Sequence, residues 1–297
     1  MGCGGAGLRR CLVSVDRQGS EVVRTLSGAL EIVVRTDPGL VRGHNEDAVF
    51  ANPNLGFAIL ADGMGGYNAG EVASGMATMV LSAELEKALG ARPPYEVDRD
   101  TGQTYGHRCV ADKVALTNSA IFNAAQNQPQ YQGMGTTLVT ALFYDNRVTV
   151  AHIGDSRLYR LRGESFVTIT RDHSLLQEQI DCGLISLDEA RFSQNKNLVL
   201  RALGVEPNVD TEIHDYPVLP GDIYLLCSDG LNDMVDDEDI QAALQTRAAH
   251  LDLAATALIQ MANDSGGRDN VSVILIKILR EFPAPQGWWS KCLKWFG

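Results

Sequence analysis

The stretch "TTLVTALFYDNRVTVAHIGD", residues 136–155, decides the fold class. Two runs of β-branched, aliphatic and aromatic residues are joined by Asp145-Asn146, two residues that tolerate the left-handed backbone of a tight turn. That pattern is a β-hairpin, so the two strands are antiparallel neighbours. A second hairpin, "RLYRLRGESFVTIT" (157–170), follows at once, with its turn at Arg162-Gly163. Working outward, "ALEIVVRT" (29–36), "FAILAD" (57–62), "DIYLLCSD" (222–229) and "NVSVILIKIL" (270–279) are further short strands. Helical patterns come in pairs. "AGEVASGMATMVLSAELEKAL" (69–89), with Val72, Met76, Met79, Val80 and Leu81 on one side, is followed by "RCVADKVALTNSAIFNAAQ" (108–126), and "DEDIQAALQTR" (237–247) by "LDLAATALIQMAND" (251–264). Residues 172–208 look helical and polar, without strand character, as an inserted flap would. Strands joined to strands, with helices in pairs, give an α+β class: two packed antiparallel β-sheets flanked by helical pairs.

The 297 residues suffice for a domain with a sizeable core, and the expected division is an N-terminal extension (1–28), a catalytic domain (29–280, flap about 174–197) and an aromatic, basic tail (281–297). A net charge of −12 without a basic block argues against nucleic acid and anionic membranes as partners. The six cysteines form no CxxC pair and read as reduced thiols, which places the chain in the cytoplasm. No apolar stretch reaches membrane-spanning length, and the start, "MGCGGAGLRRC", lacks the apolar segment expected of a secretory signal; Ala6 stands where a myristoylation signal needs Ser or Thr.

The chemistry lies at the strand ends. Asp62-Gly63 follows one apolar run, Asp229-Gly230 another, Asp155 a third, and Asp269 precedes a fourth; Arg42, Glu46 and Asp47 crowd into six residues before a fifth. Each could be a charged turn. Together they are a set of hard oxygen ligands, which suit Mg²⁺ or Mn²⁺, and no His/Cys cluster accompanies them to suggest zinc. Arg42 offers a planar fork for phosphate. None of the cysteines begins a C-x5-R phosphate loop.

In sequence and order, "RGHNED" (42–47), "ADGMGG" (61–66), "GMGTTL" (133–138), "HIGDSRLYRL" (152–161), "LLCSDGLND" (225–233) and "GGRDNVSVIL" (266–275) resemble the type 2C metal-dependent Ser/Thr protein phosphatases. "RDHSLLQEQIDCGLI" and "LVLRALG" are similar to the bacterial branch. The resemblance implies a two-metal centre of Mn²⁺ or Mg²⁺. Asp62 would bridge both ions, Gly63 would ligate through its carbonyl, and Asp229 and Asp269 would bind one ion. Asp47 and Glu46 would support the site directly or through water, Arg42 would hold the substrate phosphate, and Asp155 would sit at a third, weaker metal. It implies hydrolysis of phosphoserine and phosphothreonine on proteins by a metal-bridging hydroxide, opposing a bacterial Ser/Thr kinase. The partners would be phosphoproteins, including the kinase and its substrates, and the chain a monomer.

The sequence departs from many bacterial relatives at Tyr67, where they carry His, so the general acid is open between metal-bound water, Tyr67 and His44. His152, within a strand, and His173, before a helix, read as structural. A non-catalytic phosphoprotein scaffold is the alternative class, and intact Asp62, Asp229 and Asp269 count against it; a phosphodiesterase is a third. The tail carries Trp288, Trp289 and Trp295 with Lys291 and Lys294, and suits packing on the domain surface better than a membrane or partner.

Overall fold

The computed structural model describes residues 26, 28–66, 68–186, 189 and 198–285. The N-terminal extension up to residue 25, residue 27, Tyr67, flap residues 187–188 and 190–197, and the Trp-containing tail from residue 286 lie outside the described residues.

Two sheets carry the structure. The first runs β1 (Leu30–Asp37), β11 (Val271–Ile278), β10 (Ile223–Cys227), β7 (Arg157–Arg162), β8 (Ser165–Thr168) in spatial order. The second runs β2 (Asp47–Asn52), β3 (Phe57–Met64), β5 (Leu138–Tyr144), β6 (Arg147–Ile153), β9 (Glu212–Pro217), with the two-residue β4 (Gly135–Thr136) against the end of β3. Every pairing is antiparallel. The β5–β6 hairpin closes as its sequence predicts: Asp145 (φ 47°) and Asn146 (φ 53°) are both left-handed, the twist a two-residue hairpin turn requires.

Alternation along these strands builds three apolar layers. In β3, Phe57, Ile59 and Ala61 face α1 (Ala69–Ala91) and α2 (Tyr105–Asn127), while Ala58 and Leu60 face the other sheet. In β11, Val271, Val273 and Leu275 face the far helical pair, Asp237–Thr246 and Leu251–Asp264, while Ile274, Ile276 and Ile278 pack between the sheets. With both faces covered, these strands read as unbroken apolar runs. The result is an α–β–β–α sandwich, as expected.

Several details differ from the sequence expectation. The buried stripe of α1 is Ala69, Ala73, Ala77, Leu81 and Leu85, whereas Met79 is 64% exposed and Val72, Met76 and Val80 are only partly buried. Small residues face inward because the helix lies almost on the strand: a methyl group at Gly63 would overlap the Gly70 carbonyl. β3 continues through Asp62 to Met64 instead of ending at the carboxylate. The second hairpin turns at Gly163-Glu164, one residue later than expected, with Gly163 at φ 59°. Within 172–208 the described helix is only Leu175–Asp181 (α3), capped by the Ser174 hydroxyl, and the segment does have strand character in isolated bridges, Ser174 to Val199 and Thr136 to Leu203. β9 went unseen because "EIHDYP" is a polar edge strand with little apolar signal.

Candidate active site

All five carboxyl-bearing strand ends arrive at one end of the sandwich. Asp47 opens β2 and stands opposite Asp62 in register. β6, separated from β3 by the antiparallel β5, runs parallel to it and delivers Asp155 to the same end. From the other sheet come Asp229, immediately after β10 and Ser228, and Asp269, two residues before β11.

Hydrogen bonds fasten the two sheets here. The Ser228 hydroxyl donates to Asp47 Oδ2 at 2.8 Å, and the Glu46 amide donates to Asn270 Oδ1 at 2.8 Å. Asn270 Nδ2 in turn donates to the carbonyls of Pro38 (2.9 Å) and His44 (3.0 Å), tying down both ends of the β1–β2 loop. The Asp62 backbone is clamped by its neighbours: its amide donates to Thr137 Oγ1 at 3.0 Å, and its carbonyl accepts from the Thr136 hydroxyl at 2.8 Å. Neither Asn270 nor Thr136 and Thr137 was assigned a role from the sequence. Each sits inside a quoted motif, but its partners lie over 70 residues away in the chain.

The electrostatics register this convergence. Burial first, and then the charges of Asp47, Asp229, Asp155 and Asp269, push the Asp62 carboxyl well above its usual range. Asp229 is pushed well up by burial and then by Asp155, Asp233 and Asp269. Burial also raises Asp47 to about 6, against hydrogen bonds from Ser272 and Ser228 that favour its charged form. Asp155, only 6% exposed, is raised to about 6 by burial and by Asp172. Two carboxylate oxygens, Glu46 Oε1 and Asp47 Oδ1, are buried without any hydrogen-bond partner. A buried oxygen of that kind is costly unless a cation completes it. Arg42 supplies one cation, with Nη2 2.7 Å from Asp269 Oδ2 and its side chain half-exposed. His44 is also half-exposed, 3.4 Å from Glu46 Oε1. The carboxylates, all hard oxygen donors crowded at one end of the sandwich, fit divalent cations such as Mn²⁺ or Mg²⁺.

Asp155 is held by a second arrangement. Arg157 grips Asp172 with Nε at 2.9 Å from Oδ1 and Nη2 at 2.7 Å from Oδ2, fixing the start of the flap beside Asp155. Behind it, ligand atoms of His152, His173 and Glu212 come within 4.8 Å of one another, a cluster that sequence reading had ruled out. The two rings stack face to face, with centroids 4.7 Å apart and planes 11° from parallel. An ion in the plane of one ring therefore lies outside the plane of the other. His152 Nε2 already donates to the Arg171 carbonyl at 2.8 Å, and His173 Nδ1 accepts from the Gly154 amide at 3.2 Å. As placed, these side chains form a hydrogen-bonded stack, in keeping with the structural role expected of both histidines.

Comparison with known proteins follows the same lines. Residues 42–264 match the family model described as Protein phosphatase 2C. The Serine/threonine phosphatase stp of Listeria monocytogenes is 38% identical over 82% of this chain and 94% of its own length. Serine/threonine protein phosphatase PstP of Mycobacterium tuberculosis is 40% identical over 84% of this chain, which spans 45% of that longer protein. Among solved structures, the catalytic domain of PstP in complex with two manganese ions superposes with a TM-score of 0.73 at 38% identity, covering 84% of this chain and 98% of that one. Stp1 from Staphylococcus aureus gives 0.75 at 31% identity, covering 88% and 99%. The chain belongs to the protein phosphatase 2C family, in its bacterial branch.

Proposed function

We propose that this protein phosphatase releases phosphate from phosphoserine and phosphothreonine on proteins, in opposition to a Ser/Thr kinase, and that it does so with two Mn²⁺ or Mg²⁺ ions. The observation that carries the metal reading is the pair of buried oxygens that accept no hydrogen bond, Glu46 Oε1 and Asp47 Oδ1, amid carboxyls whose ionisation burial and one another oppose. Asp62, Asp229, Asp269 and the Gly63 carbonyl would hold the ions, with Asp47 and Glu46 supporting them directly or through water and Asp155 serving a third, weaker ion. Such ions, when bound, acidify water for in-line attack on phosphorus and offset charge on the phosphoryl oxygens, so no phosphoenzyme is needed.

The chain's own residues do the rest. Thr136 and Thr137 fix the Asp62 backbone so that its carboxyl stays in place. Ser228 turns Asp47 Oδ1 free by occupying Oδ2. Arg42 neutralises Asp269 from a half-exposed position, and its planar fork would grip the substrate phosphate. His44, half-exposed beside Glu46, can hand a proton to the departing serine or threonine oxygen; Tyr67, the other candidate from the sequence, lies outside the described residues. We place the enzyme among soluble phosphoproteins of the cytoplasm, acting as a monomer; no helix among the described residues is long and apolar enough to cross a membrane. The deciding measurement is phosphate release from a phosphothreonine peptide. Mn²⁺ should support it and EDTA should abolish it; undiminished release in EDTA would overturn the metal reading.

A further inference from the structure

The β1–β2 loop is both rigid and apolar on its outside, an unusual combination. Its backbone is pinned throughout: the Gly39 amide donates to Asp37 Oδ1 at 2.9 Å, and the Leu40 and Val41 amides donate to the Gly267 carbonyl at 2.8 and 3.2 Å. Gly39 sits at φ +76° so close to the Asp269 carbonyl that no side chain would fit. On this fixed backbone the Leu40 and Val41 side chains are 69% and 68% exposed. Neither belongs to any of the three apolar layers. Leaving two aliphatic side chains in water forgoes the stabilisation that burying them would bring.

Arg268 lies in the chain between Gly267, which pins Leu40 and Val41, and Asp269, which pairs with Arg42. It is exposed and makes no ion pair or hydrogen bond with another described residue, in a chain of net charge −12. Leu40, Val41 and Arg268 therefore form an apolar and cationic rim continuous with Arg42, the residue assigned above to the substrate phosphate.

We propose that this rim selects the protein substrate: it accepts a phosphopeptide that carries an aliphatic residue and an acidic residue next to the phosphorylated serine or threonine. The proposal rests on the phosphatase reading of the adjoining site. The aliphatic residue would cover Leu40 and Val41, and the acidic one would pair with Arg268. Charge complementarity favours an acidic segment at this one place, although the rest of the chain repels it.

The test compares kcat/KM, with saturating Mn²⁺, for p-nitrophenyl phosphate and for phosphothreonine peptides whose flanking residues are Leu and Glu, Leu and Lys, or Ser and Lys. The wild type should prefer the Leu/Glu peptide over the Ser/Lys peptide by about tenfold or more. The double variant Leu40→Ser, Val41→Ser should lose the preference for Leu, and Arg268→Glu should come to prefer the Leu/Lys peptide over Leu/Glu. Hydrolysis of p-nitrophenyl phosphate, which has no flanks, should be unchanged in both variants. Equal kcat/KM for all three peptides in the wild type would overturn the proposal, as would variants that lower peptide and p-nitrophenyl phosphate turnover in parallel. Absence of hydrolysis of every substrate with Mn²⁺ would overturn the phosphatase reading itself, and the rim with it.

Discussion

Asp62 and Asp229 lie where burial and neighbouring carboxylates favour their neutral form. Replacing either by Asn removes the group that can ionise and keeps the shape. If they are ligands, the two consequences have opposite signs. Asp62→Asn and Asp229→Asn should each lower Mn²⁺-dependent turnover by about two to four orders of magnitude, since an ion contributes several kcal/mol of charge stabilisation. The same substitutions should raise the melting temperature of the metal-free protein at neutral pH, because a carboxyl that ionises freely only in the unfolded chain is gone. Kinetics and calorimetry on the same samples check both. Near-normal turnover would make the residue a turn former. Arg42 separates from this group. It pairs with Asp269 from a half-exposed position, so Arg42→Ala should raise KM for a phosphopeptide by about tenfold while Mn²⁺ affinity changes little. Lost metal affinity at constant KM would place Arg42 in the support of the site instead.

At the scale of the elements, the hairpin around Asp145-Asn146 was legible because its turn chemistry is local, and the strands were legible because burial on both faces writes an apolar run. The acidic ends were legible for the same reason: each carboxylate interrupts such a run. What the sequence hid depends on distant partners. The first turns of the inward face of α1 are alanine and glycine because β3 lies against them, with Leu81 and Leu85 only further along, so hydrophobicity pointed partly to the wrong side, toward Met79. β9 is polar because it is an edge, and the pins from Asn270, Thr136 and Thr137 join segments far apart in the chain. That close approach yields a prediction. Gly63→Ala would press a methyl into the Gly70 carbonyl and the Glu46 backbone, so it should destabilise the protein by about 1–3 kcal/mol or more. A thermal melt matching wild type would show that α1 can slide away. The loop after β6 yields another. Asp155→Ala leaves Asp47, Asp62 and Asp229 in place, so the fold and tight metal binding should persist while most turnover is lost. Wild-type turnover in that variant would assign Asp155 to the turn alone.

At the scale of the whole molecule, the acidic end governs how stability depends on pH. Asp47 and Asp155 are held at about 6 in the metal-free fold, against about 3.9 for an unperturbed aspartate. The folded chain therefore keeps protons that the unfolded chain releases. The stability these groups contribute is present in full below about pH 4 and is lost as pH rises through about 6. Asp62 and Asp229 shift the same way and further, so they extend the loss to higher pH. Exposed acids with lowered pKa, Glu84 and Asp98, titrate below this window; His152 and His173, lowered chiefly by burial, add stability as pH rises, but two imidazoles oppose four raised carboxyls. The metal-free protein should accordingly melt at a lower temperature at pH 8 than at pH 5. Divalent cations replace the missing protons, so Mn²⁺ should reverse the loss. At a hundredfold excess over Kd it would contribute about 2.7 kcal/mol per ion, a rise of roughly 5–10 °C for a chain of this size. The rise should be large at pH 8 and small at pH 5, where protons compete for the same oxygens. Scanning calorimetry in EDTA and in Mn²⁺ across pH 5–8 measures both curves. A melting temperature that is flat or rising with pH in EDTA would mean that the carboxyls at this end ionise independently, and the case for their sharing dications would fall with it.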